Sequence, residues 1–552
     1  FLRLARSNKQ TNKQTLQPYN INSTNVNVFL VICIIGVTLG ILLEIINVQN
    51  RARKEFDKRK YWVYSAYSDV DNRQGLLKHV HNVLESLNYE KSTNRTSWHL
   101  LWSHDYPFRA LYPNLHRLKP HQRVNHFPGT GFITNKVDLA TSDSKFIPKA
   151  FKLPKNKGEF LKYASENKNA LFLEKHNQHR GIHMRNVSEI DLSSGERFVQ
   201  EYMQNPFLVD GHKFDIGVYV VLTSVNPLRV YSYKGDVLFR YCPAKYHPFD
   251  ASNLDKYVIG DDYLPTWEVP SLAQPYTALG FSMKDAFDLY AEGKDTRKMW
   301  TDVQKAIAEV FLMKEHHIIE ALKNYPSSDN FFEMMRVDLV VDEDLRVFLL
   351  EANMSPNLSS AHYPPNQQLY EQVLYNLFSI AGLGSKNYLG YNKVSPSASK
   401  MISSQKNIAV WGEECSTTCR DQCNVSDICN LCKPCMDARV RNTLLKAHTE
   451  FLHKGDFKRI YPPPLQCNCF LYALLNNKVV SLNYIFSLLL ANEDLHKLLS
   501  LGLDAIDPAI LFIYFQKQGA LLKEDLKNLT KANKLQYLWY QGKCNMDITW
   551  CD

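Results

Sequence analysis

Two carboxylates and an amide stand at the ends of apolar runs, where side chains of that kind need something to bind. In RVFLLEANMSPNLSS (346–360), Glu351 and Asn353 follow four apolar residues and lie two apart. On a strand, residues two apart leave the same face. The longer stretch FFEMMRVDLVVDEDLRVFLLEAN (331–353) has apolar runs on both sides of the polar DEDLR, which predicts a β-hairpin with an acidic turn. Folding at that turn sets Asp338 opposite Glu351. Like charges facing across a ladder destabilise it unless a cation lies between them. Asp338, Glu351 and Asn353 are all oxygen donors, the hard ligands that suit Mg²⁺, an ion that completes its shell with phosphate oxygens. The structural alternative is that each carboxylate pairs with a nearby arginine, such as Arg336.

A second set of polar side chains accompanies them. DGHKFDIGVYVVLTSVNPLRVYSYKGDVLFRY (210–241) reads as two β-rich runs joined at Asn226-Pro227. Lys213 and Asp215 share a strand face and Arg240 closes the unit, a cation and an acid suited to phosphate and ribose, or simply to each other. In ALFLEKHNQHRGIHM (170–184), Lys175 ends an apolar strand and is followed by a polar loop with Arg180 and Gly181. Backbone amides of such a loop can cover phosphates. RFVQEYMQNPFLVDG (197–211) is a further apolar strand, ending in Gln200, Glu201 and Tyr202, an edge fit for an adenine ring.

The elements that must position these groups alternate between strand-like and helix-like from about 131 to 385, which predicts an α/β body with mixed sheets and helices. The organisation along the chain is an N-terminal tail (1–25), a transmembrane helix (26–46), a charged stalk (47–62), a catalytic body (63–390), a Ser-rich linker (391–407) and a Cys-rich helical module (408–552). The span VNVFLVICIIGVTLGILLEII carries one acidic residue, Glu44, and about twenty apolar residues suffice to cross a bilayer. A signal peptide and a buried core helix are its competing readings. Basic residues flank it on both sides, so the side of the membrane on which the body lies stays open. The 65 Lys and Arg against 56 Asp and Glu give a net charge of +9, scattered over 552 residues. That excludes a dedicated nucleic-acid binder and suits an acidic protein partner.

The ordered segments NHFPGTGFITNKVDL, FIPKAFKLP, LFLEKH, FVQEYMQNPFLVDGHKFDIGVYVVLT and FFEMMRVDLVVD…VFLLEANMSPNL make the region 95–385 resemble the tubulin tyrosine ligase-like family. These are ATP-grasp ligases that attach glutamate, glycine or tyrosine to tubulin tails. The resemblance implies an ATP-grasp body, with ATP and Mg²⁺ as cofactors and free glutamate as the donor. The acceptor it implies is tubulin or another acidic-tailed protein. It places Lys136 and Lys175 at ATP-contacting lysines, Gln200, Glu201, Tyr202 and Met203 at the adenine hinge, and Lys213 and Asp215 at ribose and phosphate positions. Arg240 falls at a substrate-side arginine, and Asp338, Glu351 and Asn353 at the magnesium ligands. The implied chemistry is activation of a carboxylate as an acyl-phosphate, then attack by an amine to form a peptide or isopeptide bond.

Four positions depart from the family pattern. Gly217 replaces an arginine, His183 replaces a loop glycine, and Arg336 stands where glycine is frequent. In the fourth, an HLTN-like segment survives as Asp250-Ala251-Ser252-Asn253, with Asn253 retained. Loss of a cation near transferring phosphate lowers rate by orders of magnitude. The alternative reading is therefore a catalytically impaired, membrane-tethered nucleotide-binding or interaction protein.

Ten of the twelve cysteines follow residue 408. Their even number suggests disulfides in an oxidising compartment, whereas ICNLCKPC has thiolate spacing that would suit Zn²⁺. Irregular spacing elsewhere favours disulfides. Asn94, Asn186, Asn424 and Asn528 begin sequons that are acceptors only in a secretory lumen. A lumenal body would separate the protein from tubulin; a cytosolic one would not.

Overall fold

The structure, a computed structural model, describes residues 34–47, 59–66, 75–176, 182–193, 197–384, 403–465 and 529–552. They belong to two compact units, Phe1–Arg59 and Lys60–Asp552. In the first unit, residues 34–47 form a helix whose apolar side chains are exposed. Among the described residues no helix is long and apolar enough to cross a membrane. Of the transmembrane helix expected over 26–46, residues 26–33 lie outside the described residues.

Short apolar runs in the second unit pair into three sheets. The first comprises β1 (Arg59–Tyr64), β2 (Tyr89–Lys91), β3 (Leu100–Ser103) and β4 (Arg123–Val124), in the order β2-β1-β3-β4, with β3 parallel to both β1 and β4. Helix α1 (Lys78–Ser86) contributes Val80, Val83 and Leu84, at i, i+3 and i+4, to the core these strands share. The second sheet comprises β5 (Ala150–Leu153), β6 (Phe172–His176), β7 (His183–Arg185) and β8 (Arg197–Glu201), in the order β5-β8-β6-β7 and antiparallel throughout. Its core is Phe151, Leu153, Phe172 and Val199, closed by Phe160 from the helix Lys157–Glu166.

The third sheet is built on β9 (Phe214–Ser224), an eleven-residue strand buried along nine positions. On one side of it, β10 (Arg229–Tyr233) and β11 (Leu238–Tyr241) are two segments of one returning chain. The short β12 (Leu264–Pro265) extends β11. On the other side, β13 (Glu333–Val341) pairs with β9, and β14 (Val347–Asn353) completes the hairpin read from the sequence, with Asp338 opposite Glu351. Burial on both faces explains why β9 and β13 read as nearly continuous apolar runs. Helices α2 (Thr296–Leu322) and α3 (Asn366–Ile380) add Val303, Ile307, Val310 and Val373, Leu374, Leu377 to the same core.

In the Cys-rich region the described residues form helices and also add a strand to this sheet. The region contains α4 (Ala438–His453), β15 (Phe457–Tyr461) and α5 (Lys531–Met546), and β15 pairs antiparallel with β10. A buried polar seam fixes it there. Glu450 of α4 accepts both Nε and Nη2 of Arg229 on β10, at 2.7 and 2.8 Å, and the hydroxyls of Thr223 and Tyr231. Gln536 of α5 accepts Nη1 of the same arginine. Asn533 accepts the backbone N–H of Leu228 and donates to Glu315 of α2. Arg229 and Glu450 are only 1% and 3% exposed, so every donor and acceptor there must find a protein partner.

Six cysteines join as Cys415–Cys432, Cys419–Cys429 and Cys423–Cys435, and Cys544 joins Cys551. This leaves the zinc alternative for ICNLCKPC unsupported, because Cys429, Cys432 and Cys435 are engaged by Cys419, Cys415 and Cys423. Among the described residues no group of three or more His, Cys, Asp and Glu side chains is arranged to hold a metal ion. Cys467, Cys469, most of the Ser-rich linker and the amphipathic run 479–503 lie outside the described residues.

Candidate functional site

Strand register places the sequence-predicted residues in rows across one face of the third sheet. Arg240 on β11 lies opposite Asp215 on β9. Asp338 on β13 lies opposite Gly217 on β9 and Glu351 on β14, and Arg336 lies opposite Tyr219 and Asn353. Positions 215 and 217, 336 and 338, and 351 and 353 are each two apart, so period-2 alternation puts all of them on the same side.

The side chains then interlock. Arg240 donates Nε and Nη2 to the two oxygens of Asp215, at 2.9 and 2.6 Å, and its Nη2 also reaches Asp338 Oδ2 at 3.0 Å. Arg336 donates Nε to Asp338 Oδ1 at 2.7 Å and Nη2 to Oδ2 at 3.0 Å. Asn353 donates its amide to the same Oδ2 at 2.9 Å. Asp338 thus accepts four hydrogen bonds, three from guanidiniums. Burial works to raise its pKa, but the Arg336 and Arg240 cations outweigh burial and hold it below the usual carboxylate range. Asp215 shifts the opposite way: burial raises it, Arg240 opposes, and the neighbouring Asp338 charge raises it further.

Glu351 stands apart from that cluster and pairs with Lys136 at 3.2 Å; both side chains are partly exposed. Lys136 begins a short helix, Lys136–Ala140, whose N-cap Asn135 accepts the N–H groups of Val137 and Asp138. Lys175, the fourth residue of β6, donates to Gln200 Oε1 on β8 at 2.7 Å. Burial, reinforced by the nearby Lys213 cation, draws its ammonium down to about 8. Glu351 and Lys136 also act on Lys175, so the three lysines and Glu351 share one electrostatic site. Lys213 is buried, which lowers its pKa; its Nζ donates to the Tyr257 carbonyl at 2.8 Å and lies 4.9 Å from the Tyr202 ring centroid.

The hinge segment leaves β8 along the edge of β6. Gln200 donates to the Pro148 carbonyl, Glu201 accepts the Tyr163 hydroxyl at 2.7 Å, and the Tyr202 N–H donates to the Leu171 carbonyl. Met203 follows, partly exposed. Asn253 caps a turn over Leu254–Lys256, its side-chain oxygen accepting the Asp255 N–H. His183 is exposed on β7, and the loop with Arg180 and Gly181 lies outside the described residues. Sequence reading placed Tyr202 at the hinge but missed Tyr246, Phe249 and Tyr257, which join it in an aromatic wall around Leu173. These residues have no strand or helix period; only their clustering between 246 and 257 marked them.

The donor chemistry can be tested against Mg²⁺ on these contacts. Glu351 and the Asn353 carbonyl are hard oxygen donors on one strand face, which fits a divalent ion shared with phosphate. Asp338 has both oxygens engaged by protein donors, the arrangement of the structural alternative rather than that of an open ligand.

A sequence profile of the tubulin-tyrosine ligase family matches residues 114–388. A probable tubulin polyglutamylase, ttll-15 of Caenorhabditis elegans, is 40% identical over 431 residues, covering 74% of this chain and 82% of that protein. A tubulin polyglutamylase of Danio rerio, ttll6, is 28% identical over 292 residues, 49% of this chain and 37% of its own length. A tubulin monoglutamylase of Homo sapiens, TTLL4, is 24% identical over 425 residues, 68% of this chain and 33% of its own.

Proposed function

The chain belongs to the tubulin-tyrosine ligase family, and from that premise we propose that it is an ATP- and Mg²⁺-dependent ligase joining glutamate to an acidic side chain or chain end, with tubulin as the acceptor. The observation that supports this most is the electrostatic site itself. Lys175 is half-buried and Lys213 buried, and their hydrogen bonds go to an amide oxygen and a carbonyl, so their charges are left for an anion. They lie beside a strand edge and an aromatic wall suited to a purine. Bound ATP supplies the phosphoryl group that converts a carboxylate into an acyl-phosphate. The lysines orient phosphate oxygens, Glu351 and Asn353 hold Mg²⁺, Gln200 to Met203 border the base, and Arg240 orients the acceptor carboxylate. Fixed cations around transferring phosphate lower the barrier without reorganising. Incorporation of labelled glutamate into tubulin by the full chain tests the reading. Loss of incorporation in Glu351→Gln supports it; equal incorporation by Glu351→Gln and the parent refutes it.

The disulfides favour a second reading, in which the body folds in an oxidising compartment and acts on, or merely binds, an acidic protein other than tubulin. Asn94, Asn186 and Asn424 are exposed, as glycan acceptors must be. A mobility shift on endoglycosidase treatment of protein made in animal cells supports this second reading. No shift, with free thiols in the C-terminal region, returns tubulin to first place.

A further inference from the structure

Arg336 and Gly217 belong together. A Cβ built on Gly217 would lie 2.8 Å from Arg336 Cδ, 3.2 Å from Nε and 3.3 Å from Cγ. The arginine side chain therefore runs across the bare backbone of β9 at the one position where β9 has no side chain in its way. It ends in a two-toothed grip on Asp338, and Arg336 is only 7% exposed. Nothing about the backbone demands glycine at 217, which sits in a regular ladder between β11 and β13. What glycine supplies is room for the guanidinium.

The charges around it balance in a particular way. Asp215 and Asp338 are matched by Arg240 and Arg336, and Glu351 by Lys136. Lys175 and Lys213 remain as two cations with neutral partners. A polyphosphate entering this site meets protein charge that already does part of the work of a divalent ion. A second divalent ion at Asp338 would have to displace a bidentate, buried guanidinium.

We propose that Arg336, seated over Gly217, is a resident cation that takes the place of a divalent metal at Asp338, so that the site binds a nucleoside triphosphate with one metal ion, at Glu351 and Asn353, rather than two. The inference rests on the nucleotide-site reading above and specifies its metal requirement. Arg336 is a positioning residue here: it acts on phosphate charge through its grip on Asp338.

Mn²⁺, a paramagnetic substitute for Mg²⁺, counts the ions directly. The full chain is titrated with Mn²⁺ in the presence of a fluorescent, non-hydrolysable ATP analogue. Analogue binding is read by fluorescence and bound Mn²⁺ by electron paramagnetic resonance. The expected result is one Mn²⁺ per bound analogue in the parent chain and two in Arg336→Ala. In Gly217→Ala the new methyl pushes the arginine off Asp338, so the count should also rise towards two. Two ions in the parent chain overturn the proposal without any variant being needed, and leave the nucleotide reading intact. Analogue binding that fails at every metal concentration overturns both.

Discussion

Replacing Glu450 by alanine should unfasten the C-terminal region from the catalytic sheet. In the folded chain this carboxylate accepts two bonds from Arg229 and one each from Thr223 and Tyr231, all inside the protein. Removing it leaves a guanidinium that is 1% exposed with one remaining side-chain partner, Gln536. Breaking a buried pair from one side costs about 3–5 kcal/mol, mostly the burden of the unpaired charge. The Glu450→Gln variant keeps the shape and an acceptor oxygen but not the charge, and should fall between. The double variant Arg229→Met, Glu450→Leu removes both charges and should come within about 1 kcal/mol of the parent, or exceed it. The assay is urea unfolding of the full chain without reductant, followed by tryptophan fluorescence, since Trp539 and Trp550 lie in the core of this region. A loss below about 1 kcal/mol in Glu450→Ala, or a double variant as unstable as the single, would refute the seam as described.

Two further outcomes follow from the site and the cysteines. Lys175 carries its charge below about 8, so nucleotide-analogue affinity should fall as pH rises from 7 to 9, and Lys175→Arg should flatten that fall; an unchanged slope in the variant removes Lys175 from the phosphates. Mass spectrometry of a non-reducing digest should find the six cysteines between 415 and 435 joined in three bridges. Each bridge closes a short loop worth about 2–4 kcal/mol, so reduction should lower the unfolding midpoint while Cys242, which is buried, stays unlabelled until unfolding.

What could be read from the sequence followed the range over which each signal acts. The hairpin of β13 and β14 was legible because its pattern and its acidic turn lie within some twenty residues, and register then follows from the turn. The competition between a metal and Arg336 for Asp338 was legible too, since residues two apart share a face. That the contest leans to Arg336 was not, because the deciding residue, Gly217, sits on another strand more than a hundred residues away. Strand β15 was hidden in the same way: FKRIY lies among helices, and its partner β10 is far upstream. Six cysteines allow fifteen pairings, and spacing does not choose among them. Asn253 kept its place in a motif, yet the structure gives its side chain a turn to cap.

The late arrival of β15 has a consequence for how the chain is made. Synthesis delivers β10 more than two hundred residues before the strand that covers its edge, and α5 later still. Throughout that interval the newborn sheet presents an open, apolar border, the kind of edge that recruits other chains. The bridges between 415 and 435 span only 10–17 residues and can close locally as they emerge. The catalytic sheet has no such local route to completion. Its yield should therefore depend on whatever shields the border in the meantime, and the C-terminal region serves the rest of the chain as its last folding step.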